Sequence, residues 1–210
     1  MNEGVAILGD APALAASSQN GRSLPSAFSP PPDLFSRIDL RFYHWLRSFQ
    51  ISKRTRQALK LMVRLGDGWI WALAIGFVIF SPRFQSPLSV IAHCLLTGCV
   101  GMLLYWGIKY STRRTRPYDS YREIEAEVPP LDQFSFPSGH TMNNMAVALT
   151  LSSYLPSLLP LAIGVPFAWG VLRVYFGVHY LSDILAGVPF AMLAFFATRA
   201  FFEPAWFGLS

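Results

Sequence analysis

Two long stretches of this chain are almost free of charge. Between Gly68 and Ile108 the one charged residue is Arg83, and between Pro137 and Phe202 there are only Arg173, Asp183 and Arg199. A helix crosses the hydrocarbon of a bilayer with about 20 apolar residues, so each stretch has room for more than one crossing. The composition agrees: 52% of residues are hydrophobic, 14% are charged and the mean hydropathy is +0.36. That is high apolar and low charged content for a soluble protein. Five spanning segments are predicted, near 68–82, 87–109, 138–155, 158–177 and 181–202. The expected fold is all-α, a polytopic membrane bundle of about five to six transmembrane helices.

The chain before these segments divides in two. Residues 1–33 are rich in Ala, Ser and Pro, end in Pro30-Pro31-Pro32 and show no apolar period, which predicts a disordered tail. Val5–Leu8 is too short for the apolar part of a secretion signal, and no cation precedes it. In residues 34–65, Phe35, Ile38, Phe42, Trp45, Leu46 and Phe49 recur at helical spacing. Arg37, Arg41, His44 and Arg47 fall largely on another face. Such a cationic helix with an aromatic face lies in the membrane interface. Lys53 to Arg64 carries five cations and is too charged to span. If residues 40–62 did cross, the spans would number six. The expected membrane domain covers 66–203.

The net charge is +5. The basic residues flank membrane segments, so lipid headgroups, rather than nucleic acid, are their partners. Cys94 and Cys99 sit five apart in one apolar segment. They face different sides of a helix, make no metal site and read as small apolar filler. Gly98 and Gly101 allow close helix contact, but their spacing is not that of the four-residue dimer motif, and the oligomeric state stays open.

Ionisable residues beside apolar segments are functional candidates. The second span ends at Lys109, the third begins at Pro137, the fourth ends after Arg173 and the fifth begins near His179. Spans alternate in direction, so all four ends lie on one side of the membrane. Pro137-Ser138-Gly139-His140 stands where a loop enters an apolar helix. Proline suits the first turn, glycine allows close backbone approach, and the exposed amides bind anions. The bland reading is a helix start with a capping serine. Lys109 and Arg116 offer a point charge and a planar fork to phosphate oxygens, or they snorkel to headgroups. His179 and Asp183 are four apart, so on a helix they share a face. Asp183 then orients one imidazole nitrogen and leaves the other free to attack; the alternative is a His–Asp pair that only ties two segments together. His93, deep in the second span, reads as a core histidine, and His44 as solvated. Glu123, Glu125, Glu127 and Asp132 read as a solvated loop face that screens nearby arginines.

These residues resemble the type 2 phosphatidic acid phosphatase superfamily, which also contains the vanadium haloperoxidases. Its signatures are Lys-x6-Arg-Pro, Pro-Ser-Gly-His and Ser-Arg-x5-His-x3-Asp. Lys109 to Arg116-Pro117 matches the first, Pro137 to His140 the second, and Arg173, His179 and Asp183 the third; Leu172 stands where the family has serine. The likeness spans 109–183, and the apolar framework extends it to about 66–203.

The resemblance implies a lipid phosphatase of the bacterial inner membrane, acting on a lipid phosphate monoester or an isoprenoid diphosphate. His179 would be the nucleophile, Asp183 its orienter and His140 the acid and then the base. Lys109, Arg116, Ser138, Gly139 and Arg173 would hold the phosphoryl oxygens. No metal and no cofactor is expected. With five spans, all Lys and Arg except Arg83 and Arg199 fall on the site's side, which the positive-inside rule places at the cytoplasmic face. The competing readings are a non-catalytic lipid-phosphate binding or transport protein, at which Leu172 hints, and a vanadate-dependent haloperoxidase, against which the apolar spans argue.

Overall fold

The computed structural model describes residues 34–202, and among them the apolar runs form helices that break where proline or glycine punctuates the sequence. The helices are α1 (Leu34–Ser48), α2 (Lys53–Arg64), α3 (Ile70–Phe80), α4 (Pro87–Thr112), α5 (Pro117–Ser120), α6 (Gly139–Tyr154), α7 (Leu159–Tyr175) and α8 (Leu181–Arg199). The tail expected over residues 1–33 lies outside the described residues.

Four helical stretches among the described residues are long and apolar enough to cross a membrane: Lys53–Phe80, Pro87–Ser120, Pro156–Tyr175 and Leu181–Arg199. Their outward faces are apolar as well. Leu73 and Phe80 on α3, Leu88 and Leu103 on α4, Leu161 on α7 and Phe196 on α8 are all exposed. Helices apolar on every face belong in lipid, and this is a multi-pass membrane protein.

The span expected at 68–82 forms as α3. The turn Leu65–Trp69 joins α2 to α3, and Gly68 inside it, at φ 125°, kinks the chain between the two helices. Together they make the stretch Lys53–Phe80. The segment expected at 138–155 is α6, with 16 residues. It falls short of the other four in length and carries Thr, Asn and Ser inside, because it is the centre of the bundle. It packs against α4, α7 and α8. Across that centre, the Thr150 hydroxyl donates to Thr97 Oγ1 at 3.0 Å, and Thr97 and Thr198 share a bond of 2.7 Å. Hydroxyl bonds of this kind tie helices together where lipid gives them no hydrophobic reason to associate.

The amphipathic stretch expected over 34–65 forms two helices rather than one. Ser52 opens α2 as a cap, its hydroxyl accepting from Thr55 N at 3.1 Å. α1 packs on α7 and α8. It buries Asp39 and Tyr43 and leaves Phe35, Ile38 and Trp45 exposed, as is Phe49 just beyond its end.

The turn from α7 to α8 rests on Gly177, whose φ is +76°. A Cβ there would lie 2.5 Å from the Glu125 carbonyl oxygen. Left-handed backbone and a collision with main chain act together, so Gly177→Ala should cost about 2 kcal/mol or more. A fall of several degrees in the unfolding temperature of the detergent-purified variant is the expected result; an unchanged temperature would contradict this geometry.

Candidate active site

Lys109 lies in the last turn of α4, and Arg113 then takes a left-handed conformation that ends the helix. The chain turns back through Arg114 and Arg116 to Pro117, the first residue of α5. Residues 121–137 return it to Ser138, the cap of α6, whose N–H donates to the Asp183 carbonyl at 3.1 Å. That bond joins the start of α6 to the start of α8. The Arg116 Nη1 donates to the Val178 carbonyl at 2.6 Å, just before His179. The helix ends expected on one side of the membrane therefore meet, and they bring Lys109, Arg116, Ser138, Gly139, His140, Arg173, His179 and Asp183 together.

His179 is not on a helix. It sits in the link before α8, whose cap is Tyr180, and Asp183 is the third residue of that helix. The Asp183 Oδ2 accepts from Tyr180 N at 2.8 Å and lies 3.3 Å from His179 Nδ1. Spacing by four still pairs them, but through the geometry of a helix start. With Nδ1 held, Nε2 is the nitrogen left for chemistry, and His179 lines the cavity.

Gly139 has a close neighbour within the protein. A Cβ there would stand 2.8 Å from the ring of Tyr105.

Lys109, Arg116 and Arg173 are 0%, 1% and 2% exposed. Cations so buried need carboxylates and further hydrogen bonds to offset lost hydration. Asp132 serves two of them. Its Oδ1 accepts from Lys109 Nζ at 2.6 Å and from Arg116 Nη2 at 2.9 Å, while Oδ2 accepts from the Tyr105 hydroxyl. Burial opposes its charge, but hydrogen bonds from Lys109 and Tyr105 and the charges of Lys109 and Arg116 prevail. The Asp132 carboxyl is held down at about 2. Asp67 serves the third cation. Its Oδ1 is 2.9 Å from Arg173 Nη2 and 2.5 Å from His140 Nε2. The Arg173 Nε is buried and has no hydrogen-bond partner among the described residues. Buried N–H groups are rarely left so, and this one is free to donate.

The acidic loop is thus not one solvated face. Glu123 and Glu125 are exposed, but Asp132 belongs to the site. Glu127 accepts from Arg47 and Arg56 at 2.6 and 2.9 Å and pairs with Lys60 at 3.2 Å. Asp67 and Asp132 carry no motif spacing, since their partners lie far away in sequence. The one sign available was a lone carboxylate at the edge of an apolar run.

His93 and His44 fall where they were expected, away from the site. His93 bonds Tyr154 at 2.9 Å and stacks on Phe202. His44 is exposed. Cys94 and Cys99 are free thiols. Leu172 packs against Val63, Val128, Tyr175, Phe176 and Val178. At this position a hydroxyl would meet an apolar cluster rather than the charged groups.

A cavity of about 590 Å³ is lined by both these charged groups and apolar side chains. At one end are Asp67, Arg116, His140, Arg173 and His179; Trp71, Ile75, Leu95 and Met102 line its length, and Val78, Val90 and Leu151 lie farther along. On α3 the lining runs from Trp71 to Val78, about 10 Å.

A model of the PAP2 superfamily matches residues 86–207. This chain belongs to the PAP2 superfamily. Among PAP2 relatives, it is 36% identical over 81 residues to phosphatidylglycerophosphatase B of Bacillus subtilis, covering 33% of this chain and 40% of the relative. It is 30% identical over 121 residues to decaprenylphosphoryl-5-phosphoribose phosphatase of Mycobacterium tuberculosis, covering 58% of this chain and 64% of the relative. Both matches thus span less than two thirds of the relative's length. Two crystal structures share the fold. One is the transmembrane PAP2 type phosphatidylglycerolphosphate phosphatase from Bacillus subtilis, at TM-score 0.60 and 24% identity over 79% of this chain and 84% of that one. The other is Aquifex aeolicus LpxE, at TM-score 0.65 and 18% identity over 78% and 95%.

Proposed function

We propose that this PAP2 protein is a metal-independent lipid phosphatase working through a phosphohistidine. One observation carries the reading. His179, two buried arginines and an unpartnered arginine N–H share the charged end of a cavity whose lining is otherwise mostly apolar, with Asp183 behind the histidine and Lys109 joined to Arg116 through Asp132. A phosphoryl group fits the first part and a hydrocarbon chain the second.

In this reading the substrate's phosphoryl oxygens take the donors of Lys109, Arg116 and Arg173, helped by the Ser138 hydroxyl and the Gly139 amide at the start of α6. His179 Nε2 attacks phosphorus in line, and a P–N bond forms as the ester P–O bond breaks. Asp183 holds the Nδ1–H and balances the positive charge that grows on the ring. The leaving oxygen keeps the bond's electron pair and takes a proton from His140. Neutral His140 then removes a proton from water as the water attacks phosphorus, the P–N bond breaks and inorganic phosphate forms. The fixed cations stabilise charge as it develops.

The substrate class is a lipid phosphate monoester or an isoprenoid diphosphate. Relatives named for phosphatidylglycerophosphate and for decaprenylphosphoryl-phosphoribose support both types of tail. Counting α6 with the four longer helices gives five passes. The cations of α2 bound to Glu127 then lie on the site's side, which supports a site at the cytoplasmic face of a bacterial inner membrane. α1, with its exposed aromatic residues, lies in the interface of that leaflet.

Phosphate release by the detergent-purified protein, in EDTA, tests the reading against phosphatidate, phosphatidylglycerophosphate, a polyprenyl diphosphate and a water-soluble phosphate ester. Release from at least one lipid that persists in EDTA is the expected result. No release from any of them, by folded protein, would shift the reading to a binding or transport role.

A further inference from the structure

Asp67 belongs to none of the three signatures and lies outside the matched residues 86–207. Yet the chain is shaped to deliver it. It sits in the kinked turn, Leu65–Trp69, between α2 and α3, where Gly68 takes a φ of 125°. Gly66 beside it is closely walled: a Cβ would stand 3.0 Å from the ring of Trp169 and 3.2 Å from His140 Cδ2, so those rings would have to give way. Asn144 on α6 holds the same turn, its Nδ2 donating to the Gly66 carbonyl at 3.0 Å and to the His140 carbonyl at 2.9 Å. The turn and His140 are thus clamped together, and the Asp67 carboxylate, 27% exposed, lines the cavity beside them.

Three polar atoms make a triangle there. His140 Nε2 is 2.5 Å from Asp67 Oδ1 and 2.7 Å from Arg173 Nη2, and those two are 2.9 Å apart. A ring nitrogen cannot donate to one group and accept from another at once. The two contacts therefore belong to two protonation states of one atom.

We propose that Asp67 is a positioning residue that keeps His140 loaded with the proton it delivers. This deepens the phosphatase reading and rests on it. While Nε2 carries its proton, Asp67 accepts it and balances the imidazolium charge. When the ester P–O bond breaks, the leaving oxygen keeps the electron pair and takes the Nε2 proton. The bare Nε2 lone pair then accepts an N–H from Arg173, and Asp67 stays paired with the same arginine. When water attacks the phosphohistidine, Nε2 takes a proton from that water and returns to Asp67. Each state of Nε2 has a partner already in place, so little has to reorganise during the step.

The test separates leaving groups. An alkyl phosphate leaves as a strongly basic alkoxide and needs the proton; p-nitrophenolate does not. The ratio kcat/KM reports steps only up to formation of the phosphoenzyme, which isolates the first proton transfer. In Asp67→Asn, kcat/KM on phosphatidate, or on whichever lipid monoester turns over best, should fall about 100-fold. On p-nitrophenyl phosphate it should fall less than about five-fold, and in a His140→Ala background Asp67→Asn should add nothing further on the lipid. Asp67→Glu, which restores the charge one methylene further out, should recover part of the lipid rate. Equal losses on both substrates, no loss on either, or an additive loss in the His140→Ala background would overturn the proposal. So would failure of both the Asn and Glu variants to fold, which would make Asp67 a strut. If the unsubstituted protein releases phosphate from no ester at all, the phosphatase reading itself fails.

Discussion

His179→Ala should lower phosphate release from the preferred lipid by at least about 10⁴-fold, the scale seen when a covalent nucleophile is removed from its pair. Two features of the site set the size of the effect. In the proposed mechanism Nε2 of this ring is the nucleophilic atom, and among the described residues the nearest other imidazole, His140, is engaged by Asp67 and Arg173. The fold should tolerate the change. His179 packs in a link whose shape comes from Gly177, the Tyr180 cap and the Asp183 carboxylate, none of which depends on the imidazole for its backbone bonds. Brief exposure to ³²P-labelled substrate followed by alkaline denaturation should leave acid-labile label on the unsubstituted protein and none on the variant. Retention of more than a few per cent of the rate, or label that survives the substitution, would remove His179 from its assigned role.

Arg116→Lys is the second large effect. Charge is conserved, so any loss measures the fork. The guanidinium donates through Nε to the Asp132 carbonyl at 3.0 Å, through Nη1 to the Val178 carbonyl at 2.6 Å and through Nη2 to the Asp132 carboxylate at 2.9 Å. A lysine ammonium is a point donor and cannot reproduce three directions. It would free the Val178 carbonyl and, with it, the backbone that presents His179. Loss of a fixed donor at a site of developing charge typically costs about 10²–10³-fold in rate, and displacement of the nucleophile adds to that. A fall of at least about 100-fold in kcat/KM is expected, against no change in Arg113→Lys, where the parent side chain is exposed. Near-full activity of the lysine variant would mean that the field of the cation suffices and that its geometry is incidental.

The site was legible in the sequence wherever it is local. Pro137 to His140, Lys109 with Arg116, and Arg173 with His179 and Asp183 each sit within a few turns of one another, and alternation of the spans brings their ends to one side. What spacing could not show is pairing across the bundle. Asp67 reaches Arg173 over 106 positions, and Asp39 reaches Ser182 over 143. A carboxylate's partner at such range is decided by how helices pack, and periodicity is silent about that. The span expected from residue 68 does begin there, because Gly68 kinks the chain between α2 and α3; that the same kink carries Asp67 into the site is not written in the local sequence. α6 read as one more span because its ends are marked by Ser138 and Pro156, whereas its place at the centre of the bundle permits a shorter and more polar helix than lipid would. The His179–Asp183 pairing was anticipated for a helical face and is realised at a helix start.

Asp39 carries a consequence for where the working protein begins. From α1 it accepts the Ser182 N–H at 2.8 Å and the Ser182 hydroxyl at 2.6 Å, and it shares Arg114 with Asp183. The carboxylate that orients His179 is therefore braced from the far end of the chain, as His140 is braced by Asp67. A fragment cut to residues 86–207 would keep every signature by which the family is recognised and lose both braces. On the proposed reading the signatures are not portable: the side chains that brace them come from α1 and from the turn before α3, outside the part by which the family is recognised.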